Sequence, residues 1–352
     1  MDASFFVFNK DMVTLSFRCF PYKVNMKKKQ GFTFSRNFPN IVKDKKKNRG
    51  IAMKFIYTRI KDEIRIDKIE DPEAVIYVPE QFEDCPVTEL GSYVLAHSAV
   101  EEIHLPPYVR KIGAYGFYEC EQLKRIYCYS RVLDLGAGLF AGVPAVEYLD
   151  ITEFPGERSC LKEMLAELRQ TLRVQLHQMP AAASETAEAR LIFPEYYDEA
   201  VENTPARITV SNIHGTGQKY RYCFEGRKFR FDRYDKMFVY EKAEESVLMA
   251  SKIAVTRLQY PKGLWESAKK EYEKFLMENL YEVLLGTLED PETIKWIAGQ
   301  YLTPEKNPLT ADKMSGLITE ISKKHLPELL GMFMEIQRKK FGVKKKKFDF
   351  DL

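Results

Sequence analysis

The sequence has 352 residues, of which 45% are hydrophobic, so it predicts about two globular domains with sizeable cores. No window holds the ~18 consecutive apolar residues of a membrane-spanning helix, and the start lacks the apolar core of a signal peptide, so we expect no membrane contact. The net charge of +3 divides into +9 over residues 1–52, from twelve Lys or Arg against three Asp, and −6 over the rest. This acidic body argues against a nucleic-acid partner.

The six cysteines form no C-x-x-C pair and no dense framework, which is typical of free thiols in a reducing compartment. We therefore expect a cytoplasmic protein.

Residues 1–52 are rich in Phe, Lys and Asn and show neither helical nor strand periodicity. We interpret them as a disordered segment or as an extension placed before the true start at Met53, because AT-rich non-coding DNA translates into these residue types. An organelle-targeting peptide is the alternative, since such peptides are poor in acidic residues. Lys outnumbers Arg, however, and no amphipathic helix is evident.

Residues 53–158 predict a short repeat domain. Alternating apolar residues in 53–70 are typical of strands that cap a stack. Leu90-Gly91, Ile112-Gly113 and Leu135-Gly136 then recur at steps of 22 and 23 residues, each pair followed by Leu95, Phe117 or Phe140. The segments VEEIHL, LKRIYC and VEYLDI recur at a step of 23 and fit L-x-x-L-x-L, which is the leucine-rich repeat pattern.

A 23-residue coil cannot bury its own apolar face, so Ile103, Ile126 and Leu149 are expected to stack as successive rungs of one core. The repeated glycine allows the chain to turn where a side chain would clash.

The units VPEQFEDCPVTELGSYVL and LPPYVRKIGAYGFYECEQLKRI resemble the BspA-type bacterial leucine-rich repeat, I-P-x-x-V-x-x-I-G-x-x-A-F-x-x-C-x-x-L-x-x-I. The matching residues are Pro79, Val87, Leu90, Gly91, Pro106, Val109, Ile112, Gly113, Phe117, Cys120, Leu123 and Ile126. The third unit departs from the pattern, with Val143 in place of the cysteine. The resemblance covers residues 74–151 and implies a bacterial recognition scaffold without catalysis.

Residues that flank the central apolar position of each L-x-x-L-x-L strand point away from the core, onto the expected concave face. They are Glu102, His104, Arg125, Tyr127, Tyr148 and Asp150. Tyr and Arg dominate interface hot spots, so we expect another protein or a peptide to bind here. The alternative interpretation is a solvated face of a curved sheet.

Residues 159–342 predict a mainly helical domain with a β-hairpin near its start, formed by LRVQLH and RLIFP. Apolar residues at helical spacing begin at Val247, and a longer helix is predicted from Trp265 to Val283. Pro291 and Pro327 stand where further helices are expected to begin. The short helices resemble ankyrin or armadillo arrays without their strict period. One irregular helical domain that caps the repeats is the alternative.

The tail, residues 343–352, reads VKKKKFDFDL and is expected to be disordered. Phe348, Phe350 and Leu352 share one side of an extended strand, so the tail is also a candidate docking segment.

The fold class expected overall is α+β, a short leucine-rich-repeat β-solenoid followed by a mainly α-helical, solenoid-like domain. We expect no enzyme, cofactor or metal, because the sequence has no G-x-x-x-x-G-K-[ST], H-E-x-x-H or G-x-S-x-G motif. A thiol-dependent enzyme that uses Cys223 and His214 is the rival hypothesis. A buried structural thiol is the alternative interpretation of Cys223, because free cysteines are mostly buried.

Overall fold

The computed structural model describes residues 7–9, 12–16, 53–179, 188–203 and 208–342. It has a β-solenoid of about five turns in the amino-terminal half and a helical region after it, which confirms the predicted fold class. The chain divides into two compact units, residues 1–123 with 134–143 and residues 124–133 with 144–352.

The first unit holds most of the short strands. They are β1 (Val7–Asn9), β2 (Met12–Ser16), β3 (Lys54–Ile60), β4 (Glu63–Glu70), β5 (Val75–Tyr77), β6 (Gln81–Phe82), β7 (Cys85–Leu90), β8 (Glu102–His104), β9 (Lys111–Ile112) and β11 (Asp134–Leu135). One sheet has the order β1-β2-β3-β4-β7-β9-β11, with β6 beside β7. No regular structure is predicted before Met53, whereas β2 pairs antiparallel with β3. Translation from Met53 stays a prediction.

The repeated glycines of this unit lie where neighbouring coils approach most closely. A Cβ atom on Gly113 would stand 2.5 Å from the Ser92 nitrogen, and one on Gly136 would stand 2.2 Å from the Ala114 nitrogen. Each glycine N–H donates to the previous coil, that of Gly136 to the Ile112 carbonyl at 2.8 Å. These backbone contacts leave no room for a side chain, which explains why the glycine recurs.

The second unit carries a sheet of β10 (Arg125–Tyr129), β12 (Tyr148–Glu153), β13 (Leu172–Gln178) and β14 (Glu188–Phe193). The first three strands are parallel and β14 is antiparallel to β13, so β13 and β14 form the predicted hairpin. The register aligns Ile126 with Leu149, Leu149 with Val174 and Val174 with Leu191, all of them buried. The predicted row is thus confirmed for Ile126 and Leu149, and Ile103 is buried opposite Ile76 in the first unit.

The coils continue beyond residue 151, which is the last residue of the predicted repeats. β13 extends the parallel sheet, but Leu149 and its partner Val174 are 25 residues apart because helix α1 (Leu161–Glu167) forms the return segment. The longer return hides this coil from a search at a step of 23.

The rest of the second unit is a hairpin followed by helices. The hairpin strands are β15 (Tyr197–Asn203) and β16 (Ile208–His214), and β17 (Phe224–Glu225) pairs with β18 (Lys228–Phe229). The helices are α2 (Gly217–Arg221), α3 (Phe231–Lys236), α4 (Phe238–Glu244), α5 (Val247–Gln259), α6 (Glu266–Glu278), α7 (Leu280–Gly286), α8 (Pro291–Tyr301), α9 (Ala311–Lys323) and α10 (Pro327–Phe341). A solenoid order among them stays a prediction.

Two local expectations differ from the structure. The hairpin β15–β16 was not predicted, because its sequence shows weak alternation. The long helix expected from Trp265 to Val283 is two helices, which separate at Asn279, where the backbone leaves helical geometry (φ −111°). The Phe275 carbonyl accepts two hydrogen bonds from Asn279 there, one from its backbone N–H at 3.2 Å and one from its side-chain amide at 2.9 Å.

Buried charges join the helices. Arg257 of α5 forms two hydrogen bonds with the Asp235 carboxylate of α3, at 2.8 and 3.1 Å, and the Tyr272 hydroxyl of α6 donates to the same carboxylate at 2.9 Å. Arg221 of α2 instead donates only to backbone carbonyls, among them Leu168 at 2.9 Å and Gln170 at 2.7 Å. Burial lowers the Arg221 pKa to about 10, so it remains a cation at neutral pH.

A second buried acid has no cation as its hydrogen-bond partner. Glu241 of α4 is fully buried, its Oε2 accepts from the Thr216 hydroxyl at 2.5 Å, and its Oε1 has no hydrogen-bond partner. Burial, together with the nearby carboxylates of Glu245 and Glu244, raises the Glu241 pKa to about 7, although the Thr216 hydrogen bond and the Lys219 cation each lower it.

We expect Gly136→Ala to lower the free energy of unfolding by about 1–3 kcal/mol, because the new methyl group would overlap backbone that cannot move alone. Gly299→Ala is the control, since a Cβ there meets nothing within 4 Å and alanine favours a helix by up to about 1 kcal/mol. Urea unfolding measures both, and an unchanged midpoint for Gly136→Ala would contradict the close packing of coils.

We expect the stability of Glu241→Gln relative to the parent to be greater at pH 8 than at pH 5. The unfolded chain releases this proton near pH 4.5 and the folded chain near pH 7, so the folded state binds more protons between these values. The stability that this group contributes is complete below pH 4.5 and lost as the pH rises through 7. The difference between variant and parent should therefore grow by on the order of 3 kcal/mol from pH 5 to pH 8 in urea unfolding. A difference independent of pH would contradict a protonated Glu241.

Candidate interaction surface

The outward side of the sheet in the second unit carries the predicted binding residues of β10 and β12. Alternate residues of β10 are buried, so Arg125 and Tyr127 lie on the opposite side, and the register places them beside Tyr148 and Asp150. The neighbouring β13 adds three residues to this side. We call the set the polar face, and it consists of Arg125, Tyr127, Tyr148, Asp150, Arg173, Gln175 and His177.

Two tyrosines occupy the centre of the polar face. The ring centroids of Tyr127 and Tyr148 are 5.7 Å apart, and the guanidinium of Arg173 lies 6.0 Å from the Tyr148 centroid. Both tyrosines are partly exposed. Rings at this distance attract one another and hold each other in place.

A hydrogen-bond network holds the hydroxyl group of Tyr148 in place. Its hydroxyl donates to Gln175 Oε1 at 2.9 Å and lies 3.3 Å from Asp150 Oδ2. His177 Nε2 is 3.0 Å from Asp150 Oδ2 and 3.0 Å from the Gln175 amide nitrogen. Burial and the Asp150 carboxylate hold the pKa of Tyr148 well above its ordinary value, so its hydroxyl keeps its proton.

Asp150 is nearly covered, in contrast to the neighbouring tyrosines of the polar face. It was expected as a contact residue, but it is only 8% exposed and is occupied by Tyr148 and His177. It therefore positions the face rather than presenting a free carboxylate. Gln175 and His177 were not predicted, since their coil departs from the step of 23, although the alternation LRVQLH contains both.

Glu102 and His104 lie on β8 in the first unit and form a pair of their own. His104 Nε2 is 2.6 Å from Glu102 Oε1, and the His104 ring stacks on Tyr77 with centroids 4.2 Å apart. Tyr77 is 52% exposed, so this stack reaches the surface. Phe348, Phe350 and Leu352 lie outside the described residues.

The thiol and imidazole of the rival hypothesis each contact other groups. Cys223 is 2% exposed, and burial raises the pKa of its thiol to about 12. Its sulfur lies 3.4 Å from the Lys219 carbonyl, while His214 stacks on Tyr197 and bonds Glu199 Oε2 at 3.0 Å. A thiolate is the reactive form, so this environment disfavours a nucleophile. In the described ranges no group of three or more His, Cys, Asp or Glu residues is placed to hold a metal ion.

The helices in the described part of the chain include none that is long and apolar enough to cross a membrane.

Comparison with known proteins supports the repeat. The family model for the BspA type leucine rich repeat region matches residues 86–159 in six copies. A search among curated proteins found no match. A crystal structure of a leucine rich cell surface protein from Faecalibacterium prausnitzii A2-165 is similar at 16% identity over 36% of this chain, with a TM-score of 0.24. The match spans 41% of that protein's length.

We expect Cys223 to resist alkylation by iodoacetamide at pH 7.5 in the folded protein and to react at the rate of an ordinary thiol in urea, because burial disfavours the thiolate. Mass spectrometry of the peptide that contains Cys223 measures the rate separately from the other cysteines. Rapid reaction of the folded protein near neutral pH would instead restore the thiol-enzyme hypothesis.

Proposed function

We propose that this protein is a non-enzymatic scaffold that binds another protein or a peptide through the polar face. The observation that carries the proposal is the paired Tyr127 and Tyr148 rings, flanked by Arg125 and Arg173. Tyrosine and arginine supply much of the binding energy in protein interfaces, because each offers a large contact area together with hydrogen-bond donors.

The network beneath Tyr148 supports this role. A side chain that is already fixed loses little conformational entropy when a partner arrives, and ordering a mobile side chain costs about 0.5–1.5 kcal/mol. The Gln175 and Asp150 oxygens, which accept from the Tyr148 hydroxyl, fix Tyr148 in this way. The match to leucine-rich repeats adds support, because stacked repeats present extended surfaces that are commonly used for binding.

The pair of Glu102 and His104 on β8 belongs to the proposal as a second, smaller contact. The half-exposed Tyr77 ring stacked on His104 would take part in it.

A cytoplasmic location is also proposed. It is supported by the five free thiols of the described residues, and fractionation of native host cells tests it.

We expect the double variant Arg125→Ala with Tyr127→Ala to lose the partners that the full chain captures from native host extract. A loss of 2 kcal/mol, the threshold for a hot spot, corresponds to about thirtyfold weaker binding. Titration of the captured partner measures this loss.

The matched control is Tyr222→Ala with Arg227→Ala, which removes the same residue types from exposed positions outside the polar face. It should retain the parent's affinity. Recovery of the same partners at the same affinity by both double variants would refute binding through the polar face.

A further inference from the structure

An open groove runs between helices α8 and α10, far along the chain from the polar face. Its volume is about 300 Å³, and its lining consists of Lys295, Ala298, Gly299, Leu302, Thr303, Pro304, Met332, Ile336 and Lys339. Ala298 and Leu302 are buried in the hydrophobic cluster of the helices, and Met332 and Ile336 pack against that cluster while remaining partly exposed. The floor is therefore apolar, and the lysines stand among its lining residues.

One position of α8 leaves the groove open. Gly299 has no atom within 4 Å of the place where a Cβ would stand, although a glycine inside a helix costs up to about 1 kcal/mol relative to alanine. A larger residue has room for its Cβ there and would extend into the groove. Gly299 thus offers a means of blocking the groove alone.

The chain itself supplies a segment whose pattern fits this floor. Helix α10 ends at Phe341, and the sequence continues from Gly342 with VKKKKFDFDL. In an extended segment, alternate side chains point to opposite sides. Phe348, Phe350 and Leu352 would then meet the apolar floor, and Asp349 and Asp351 would point toward its edges.

The connecting residues are long enough. Ile336 and Met332 precede Gly342 by six and ten residues, which is ~9 and ~15 Å along the helix axis at 1.5 Å per residue. The six residues from Gly342 to Phe348 span up to ~20 Å when extended. A segment that turns back along α10 therefore reaches either position with slack.

The two aspartates of the segment match basic groups of the groove, whereas the lysines at 344–347 belong to the connecting part. The last turn of α10 is basic, with Arg338, Lys339 and Lys340, and Lys295 lies on the opposite wall. Lys295 and Lys339 already pair with glutamates but are partly exposed, and each ammonium has three N–H donors. The two aspartates of the segment would meet these positive groups.

We propose that residues 344–352 bind within the same molecule to the groove between α8 and α10, with Phe348, Phe350 and Leu352 on its apolar floor. A short tether holds such a segment at a local concentration in the millimolar range, so modest intrinsic affinity keeps the groove filled. A partner that binds either the groove or the Phe-Asp-Phe-Asp-Leu sequence must first displace this contact.

The test uses a fluorescein-labelled peptide of residues 344–352 and the full chain. The triple variant Phe348→Ser, Phe350→Ser, Leu352→Ser leaves the groove without its own segment, so it should bind the peptide. The parent should bind at least about tenfold more weakly, because its own segment competes. Fluorescence anisotropy measures both affinities.

Gly299→Trp in the triple variant fills the groove and should abolish peptide binding. Gly331→Trp is the matched control, since Gly331 is also a helical glycine with open space but does not line the groove. It should bind like the triple variant alone. Thermal unfolding checks that both tryptophan variants fold.

Three results would overturn the proposal. One is the absence of peptide binding to the triple variant, and another is binding that Gly299→Trp leaves unchanged. The third would exclude binding within one molecule. It is either equal peptide affinity of the parent and the triple variant, or light scattering that shows a dimer of the parent but not of the triple variant. The segment would then act on another molecule.

Discussion

The β-solenoid depends on one constraint, which is that no single coil can cover its own apolar side. Ile126, Leu149, Val174 and Leu191 lie in one register across four strands, and each is buried because the strands beside it are present. Because each coil must be covered by its neighbours, the coils approach closely, and their backbones come into contact at Gly113 and Gly136. The same register also aligns the outward residues of these strands, so the packing of the core determines which side chains lie together on the surface.

The helical region depends on a different kind of contact. Asp235, Arg257 and Tyr272 join three helices through a buried ion pair. Arg221 instead binds carbonyl groups of two loops, Leu168 and Gln170 in one and Pro194 in the other. Removing one partner of such a set leaves a buried polar group without compensation, which is costly. Glu241 shows the other solution available to a buried acid, because a raised pKa allows it to stay neutral.

The repeat and much of the polar face were predictable because their pattern is local. The step of 23 and the alternation within each strand fixed the core row and placed Arg125, Tyr127 and Tyr148 on the outward side. The coil formed by β13 was missed because helix α1 lengthens its return, and with it Gln175 and His177. Pairs such as Asp235 with Arg257 are 22 residues apart and follow no period, so only packing brings them together.

The glycine contacts between coils have a consequence for how such a gene can change. Duplication or deletion of one whole coil keeps the general form of each interface, because each coil meets only its neighbours and brings its own glycine. Insertion of a single residue within a strand has the opposite effect, since it reverses which side chains face inward from that point on. Array length is therefore free to evolve in complete units, while the residue count within each strand is constrained by its alternation.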